Sequence, residues 1–160
     1  SLIIELAKGN KAMIDFIQVG KKLANYRKQN NMTQDDLASM LFVTRQLISK
    51  WEKGVGVPSL DVVIELSKIF KVSIEDLLCL NDEEEFDKED IFKGHTRLFV
   101  IESIISKKLD IDLPSNFYKF SLEERMMLLK AVKEGRLDTD ISKLKPVLTI
   151  GEYHFLKGGN

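Results

Sequence analysis

Apolar residues recur along this chain at intervals of three and four, with little alternation at period two, so the pattern predicts helices and argues against strands. The pattern is sharpest in QDDLASMLFVTRQLISKWEK, residues 34–53. Leu37 and Leu41 share one face of a first helix, and Ile48 and Trp51 share one face of a second. Thr33, with Asp36 three residues on, is a weak form of the capping box. Thr44 is a good N-cap for the second helix. Phe42-Val43-Thr44 turns the chain between them, with Val43 able to drop into the core. Ala38 is small enough to let the two helices cross closely.

Past residue 95 the helical period returns. Leu98, Ile101, Ile104, Ile105 and Leu109 predict an amphipathic helix from Thr96 to Lys108. Pro114-Ser115-Asn116 signals a turn. Ser121 with Glu124 forms a capping box for a helix reaching Glu134 and ended by Gly135. Its apolar surface, with Leu122, Met126, Leu129 and Val132, is broader than one short helix needs, which favours a partner contact. Residues 144–148 read as a loop with a short helix before Pro146. Thr149 with Glu152 opens a last helix carrying Tyr153, Phe155 and Leu156.

The second helix of the 34–53 pair has a polar face over its first turns. Arg45, Gln46 and Ser49 point away from Ile48 and Trp51, and Lys50 follows. Arginine can donate two hydrogen bonds to guanine, and glutamine can pair with adenine. In a docked helix-turn-helix, the N-terminal residues of the second helix reach base edges. A solvated polar face is the plain alternative, but core pattern, turn and polar face all agree with the DNA-reading one.

With those residues in view, the segment from Val19 to Leu80 resembles the Cro/phage-repressor (XRE) family of helix-turn-helix DNA-binding domains. VGKKLANYRKQNNMTQDDLASML is similar to its first two helices, VTRQLISKWEKG to its recognition helix and following loop, and PSLDVVIELSKIFKVSIEDLL to its fourth and fifth helices. The resemblance implies a phosphate contact for Gln34 and a place near the DNA backbone for the capping Thr44, with Lys53 a further phosphate candidate. It also implies base contacts for Arg45, Gln46 and Lys50, with Ser49 adjacent, and an ion pair between Arg27 and Glu52. Trp51 takes a core position. The chain departs from the pattern at Phe42, where the family often has glycine and the turn tends to need a positive φ.

The expected organisation is all-α: a five-helix repressor-like DNA-binding domain over residues 13–80, an acidic linker over 81–95, and a small helical C-terminal region over 96–160 for dimerisation or partner binding. Residues 1–12 have no counterpart in the family pattern. They read as a segment added ahead of a natural start at Met13, or as a short extra helix.

Charge sharpens this picture. The chain has 24 basic and 25 acidic residues, so it is no generally basic nucleic-acid binder. Residues 20–54, however, hold seven basic and three acidic side chains, a net +4 that leaves −5 for the remainder. A basic head on a mildly acidic body suits a specific binder with few phosphate contacts. The single cysteine, Cys79, excludes an intrachain disulfide and reads as a buried structural thiol in an apolar run. No apolar run reaches the ~18 residues a membrane span needs, and a cytoplasmic location is expected.

Other chemistry finds little support. The pairs Asp110 and Asp112, and Asp138 and Asp140, lack the companion ligands and glycine of a calcium loop. His95 and His154 stand alone and read as surface or capping residues, so no metal or cofactor is expected. No nucleophile motif, phosphate loop or zinc spacing is present, which argues against an enzyme. The run Met126-Met127-Leu128-Leu129 reads as core or subunit interface rather than a ligand pocket. The reading is a sequence-specific transcriptional regulator, a repressor acting as a homodimer on a palindromic site in double-stranded DNA. The alternative is an antitoxin or inhibitor on the same scaffold, with a protein partner held by the C-terminal region and autoregulatory DNA binding.

Overall fold

The computed structural model describes residues 14–158, and the expectation for residues 1–12 lies outside them. The described residues form ten α-helices and two short 3-10 turns, with no strand among them. They divide into two compact units, the first ending at Thr96 and the second beginning at Arg97.

The first unit contains α1 (Phe16–Gln29), α2 (Gln34–Leu41), α3 (Arg45–Glu52), α4 (Leu60–Phe70) and α5 (Ile74–Leu77). Four of the five starts are set by local side-chain caps, and at α4 the N-cap Ser59 makes no side-chain hydrogen bond. The Asp15 carboxylate accepts from the Ile17 N–H, the Thr44 hydroxyl from Leu47, and the Ser73 hydroxyl from Asp76. Thr33 and Asp36 form a complete reciprocal capping box at α2. Leu23, Leu37, Ile48, Leu66 and Leu77, one from each helix, are at most 1% exposed and meet in one core with Trp51. Val43 packs partly buried against that core.

Two features place α3. Gly20 on α1 lies against the end of α3, and a Cβ there would stand 2.7 Å from the Glu52 carbonyl oxygen. Only a residue without a side chain allows that backbone approach. Phe42 closes α2 in the left-handed region with φ 55°, the conformation that glycine supplies in the family pattern. The turn therefore keeps its geometry despite the substitution. The Phe42 side chain is 97% exposed, so no packing within this unit offsets the strain.

The acidic stretch expected as a linker is held within the first unit. Lys22 Nζ on α1 reaches Asp82 at 2.8 Å, Gln18 Nε2 donates to the Gly94 carbonyl at 2.5 Å, and Ile91 is buried. His95, expected as a surface or capping residue, is 8% exposed. Its Nδ1 lies 2.6 Å from Asp15 Oδ2 and its Nε2 2.9 Å from the Glu85 carbonyl oxygen. Phe86 packs against the imidazole with ring centroids 4.8 Å apart. Asp15 Oδ1 also accepts from the Thr96 N–H at 3.2 Å. Cys79 is only half-buried and sits at φ 58°, next to Leu78, the C-cap of α5. Burial pushes its thiol up to about 11.

The second unit contains α6 (Arg97–Ile105), α7 (Leu113–Asn116), α8 (Leu122–Lys133), α9 (Ile141–Leu144) and α10 (Ile150–Lys157). α6 is buried nearly all round: Ile101, Ile104 and Ile105 are buried as the spacing predicts, Phe99 and Val100 join them in the core, and Leu98 is 49% exposed. Pro114 does not simply turn the chain. It sits in the first turn of α7, where its missing N–H is not needed. Residues 145–147 continue past Pro146 as a 3-10 turn after α9. The capping boxes at Ser121 and Glu124, and at Thr149 and Glu152, are both complete. Leu128 and Leu129 are core residues, while Met126 and Met127 are half-buried and Leu122 is 65% exposed. Arg125 Nη2 reaches the buried Glu152 carboxylate at 2.8 Å, and its guanidinium covers the Phe117 ring at 4.3 Å. Among the described residues no helix is long and apolar enough to cross a membrane.

Candidate nucleic-acid interface

The site is built on α3. Ile48 and Trp51 are 0% and 4% exposed and fix the inner face. Arg45, Gln46 and Lys50 are exposed on the outer side, while Leu47 and Ser49 are half-buried. Anchored apolar positions three apart hold the outer residues in a fixed array, so their spacing is that of one helix face and not of a mobile loop. Lys53, the C-cap residue, is exposed at the far end.

Thr44 precedes the helix. Its oxygen accepts the Leu47 N–H at 3.2 Å, which leaves the hydroxyl hydrogen available to an outside acceptor such as a phosphate oxygen. Gln34 opens α2 and is half-buried. Its Nε2 donates to Glu52 Oε2 at 2.9 Å, and a primary amide nitrogen keeps a second N–H for another acceptor.

Glu52 is the hub beneath this surface. Arg27 Nε and Nη2 donate to its two oxygens at 2.5 and 3.1 Å, and Arg27 Nη1 donates to the Met32 carbonyl at 2.7 Å. Both side chains are nearly buried, at 10% and 9% exposure. Burial pushes the Glu52 carboxyl up, but hydrogen bonds from Arg27 and Gln34 outweigh it and hold the group below the usual range. The Glu52 carboxylate in turn raises the Arg27 guanidinium. The ion pair ties α1 to the end of α3, and Gln34 ties the start of α2 to the same carboxylate. The candidate phosphate and base contacts thus share one rigid support.

One participant escaped the sequence reading. Asp35, the second residue of α2, places Oδ2 3.8 Å from Arg45 Nε, with both side chains mostly exposed. The only sequence signal was an acidic residue next to Gln34, and helix starts commonly carry such residues for other reasons. Three of the four aspartates considered for a metal have ordinary partners: Asp112 accepts from Ser115 Oγ, Asp138 pairs with Lys107, and Asp140 caps α9. Among the described residues no group of three or more His, Cys, Asp or Glu side chains is arranged to hold a metal.

Comparison with known proteins gives the same region. The family model described as helix-turn-helix matches residues 23–77. An HTH-type transcriptional regulator of Methanocaldococcus jannaschii is 46% identical over 63 residues, which is 39% of this chain and 96% of that protein. The HTH-type transcriptional activator BcrR of Enterococcus faecalis is 42% identical over 62 residues, 39% of this chain and 30% of BcrR. An HTH-type transcriptional regulatory protein of Pyrococcus furiosus is 29% identical over 151 residues, 86% of this chain and 46% of that protein. This chain therefore spans less than half the length of the last two relatives. No solved structure matches it.

Proposed function

The chain belongs to the helix-turn-helix family of transcriptional regulators, and from that premise we propose that it reads a specific DNA sequence as a homodimer and represses transcription by occupying its site. The observation that carries this reading is the exposed set Arg45 and Gln46 in the first turn and Lys50 in the last turn of a helix anchored by buried Ile48 and Trp51. Arg45 takes guanine through N7 and O6, and Gln46 takes adenine through N6 and N7. Gln34, Thr44 and Lys53 donate to phosphates on either side and set the register.

Dimerisation follows from the size of that set. One recognition helix reads only a few base pairs, and two-fold pairs of such helices read half-sites about 34 Å apart. The second unit is the proposed source of the dimer contact, because Leu122 and Ile150 stand 65% and 78% exposed at the starts of α8 and α10. Repression is the simpler outcome, since occupancy alone blocks a promoter while activation needs a further contact.

Selection of bound sequences from a random DNA pool tests the whole reading. A palindromic motif with half-sites one helical turn apart is the expected result. An enriched motif without symmetry removes the homodimer, and no enrichment removes sequence reading. A reporter fused to the selected site then gives the sign of regulation.

A further inference from the structure

We propose that Asp35 is a positioning residue for base recognition: it holds Arg45 by its Nε edge, so that the Nη1–Nη2 edge is the one offered to guanine. This rests on the DNA-reading role proposed for Arg45 above.

Arg45 is the first residue of α3 and Asp35 the second of α2, so two separately capped helices bring them together. The contact atoms are Arg45 Nε and Asp35 Oδ2, 3.8 Å apart. The side chains are 62% and 74% exposed, which puts the pair on the open surface that carries Gln46 and Lys50. The neighbouring Asp36 is committed elsewhere, since its Oδ2 accepts the Thr33 N–H at 2.7 Å in the capping box. Asp35 has no part in that box.

A guanidinium carries one N–H at Nε and two at each Nη, and has no acceptor. A carboxylate on the Nε side leaves the two Nη groups as the free fork. Guanine alone presents two acceptors side by side in the major groove, N7 and O6, whereas adenine presents one acceptor beside a donor. An arginine limited to one fork therefore satisfies both bonds only over guanine, while an unrestrained one can swing to a phosphate. In water the exposed pair contributes little. Groove entry expels water and strengthens it.

The Asp35 charge then has two opposed effects. It repels phosphates, which weakens general attraction to DNA, and it steers Arg45, which sharpens discrimination. A carboxylate that merely complemented the N-terminal dipole of α2 would leave base preference unchanged.

The test is random-pool selection with the full chain as wild type, Arg45→Ala, Asp35→Asn, Asp35→Ser and Asp35→Glu, with affinity for a non-specific duplex and thermal unfolding measured for each. Arg45→Ala identifies the position that Arg45 reads. Asp35→Asn is expected to cut guanine preference at that position about fivefold or more. Non-specific affinity is expected to rise, and Asp35→Glu to restore much of the preference. Asp35→Ser, with a residue well suited to a helix start, replaces the Asn variant should that one fail to fold. Unchanged guanine preference in a folded Asn or Ser variant overturns the proposal, and so does an Arg45→Ala profile identical to wild type. Failure of the wild type to enrich any motif counts instead against sequence reading itself, and the proposal falls with it.

Discussion

Replacing Glu52 by Gln removes one charge from the support beneath the candidate interface while keeping the side chain's shape. Arg27 then keeps the Met32 carbonyl and one amide oxygen, but it has lost the counter-charge at 2.5 and 3.1 Å. Its side chain is 10% exposed, so water reaches it poorly. Breaking a buried ion pair by removing one partner costs about 3–5 kcal/mol. The neutral acceptor that remains returns about 1 kcal/mol, so the expected loss is about 2–4 kcal/mol. Trp51 is the only tryptophan and is 4% exposed in this same unit, so urea titration followed by its fluorescence reports the head directly. The dependence on pH supplies a second check. The Glu52 carboxyl is held below its ordinary value of 4.5 in the folded state. A lowered carboxyl contributes stability above its unfolded value and loses it as pH falls through the folded value. The gap between wild type and variant is therefore full at neutral pH, begins to narrow near pH 4.5, and closes below it. Adding Arg27→Met to the variant is expected to recover stability to within about 1 kcal/mol of wild type, because no buried charge is left alone. A loss under about 1 kcal/mol, or a gap that stays constant through the acid range, would refute the assignment of Glu52 as a charged hub.

Three further outcomes follow from the same geometry. Phe42→Gly relieves a left-handed φ of 55° and removes a side chain that is 97% exposed; the head is expected to gain about 0.5–1 kcal/mol in the same urea titration, and a loss would show that Phe42 is packed. Gln46→Ala is expected to weaken specific DNA binding by about 1–3 kcal/mol per half-site in a gel shift, with the circular dichroism spectrum unchanged. The Cys79 thiol is pushed by burial to about 11, so alkylation by iodoacetamide at pH 8 is expected to run about a hundredfold slower than for a free cysteine; comparable rates would mean an open thiol.

The helix starts were legible in the sequence because capping is local. Thr33 with Asp36, Ser121 with Glu124 and Thr149 with Glu152 each need only three residues of spacing, and all three form complete boxes. The exposed row on α3 was legible for a related reason: Ile48 and Trp51 define the buried side, and helical geometry assigns Arg45, Gln46 and Lys50 to the other. Periodicity was incomplete at α6: it places Ile101, Ile104 and Ile105 in the core, where they lie, but a helix buried nearly all round also takes in Phe99 and Val100 and leaves Leu98 49% exposed. Long-range pairing was also invisible. Nothing near His95 in sequence names Asp15, 80 residues away, as its partner. The Asp35–Arg45 contact depends on how two helices cross, which no single-helix pattern contains.

The Asp15 carboxylate caps α1 with one oxygen, which also takes the Thr96 N–H, and meets His95 with the other. That makes the first unit a ring closed by noncovalent bonds, and the ring has a consequence for the order of assembly. The turn joining α2 to α3 closes over a few residues, whereas the Asp15–His95 closure spans 80. Each doubling of a closed loop adds about 0.6 kcal/mol of entropic cost, so the ring is expected to seal after the helices have condensed, which φ-values at Asp15 and His95 would check. A contact made after the folding barrier governs how slowly the structure opens far more than how fast it forms. The helix this closure caps also packs against the end of α3, where a Cβ on Gly54 would stand 2.7 Å from Ile17 Cα, so opening the ring is expected to loosen the support of the candidate reading helix as well.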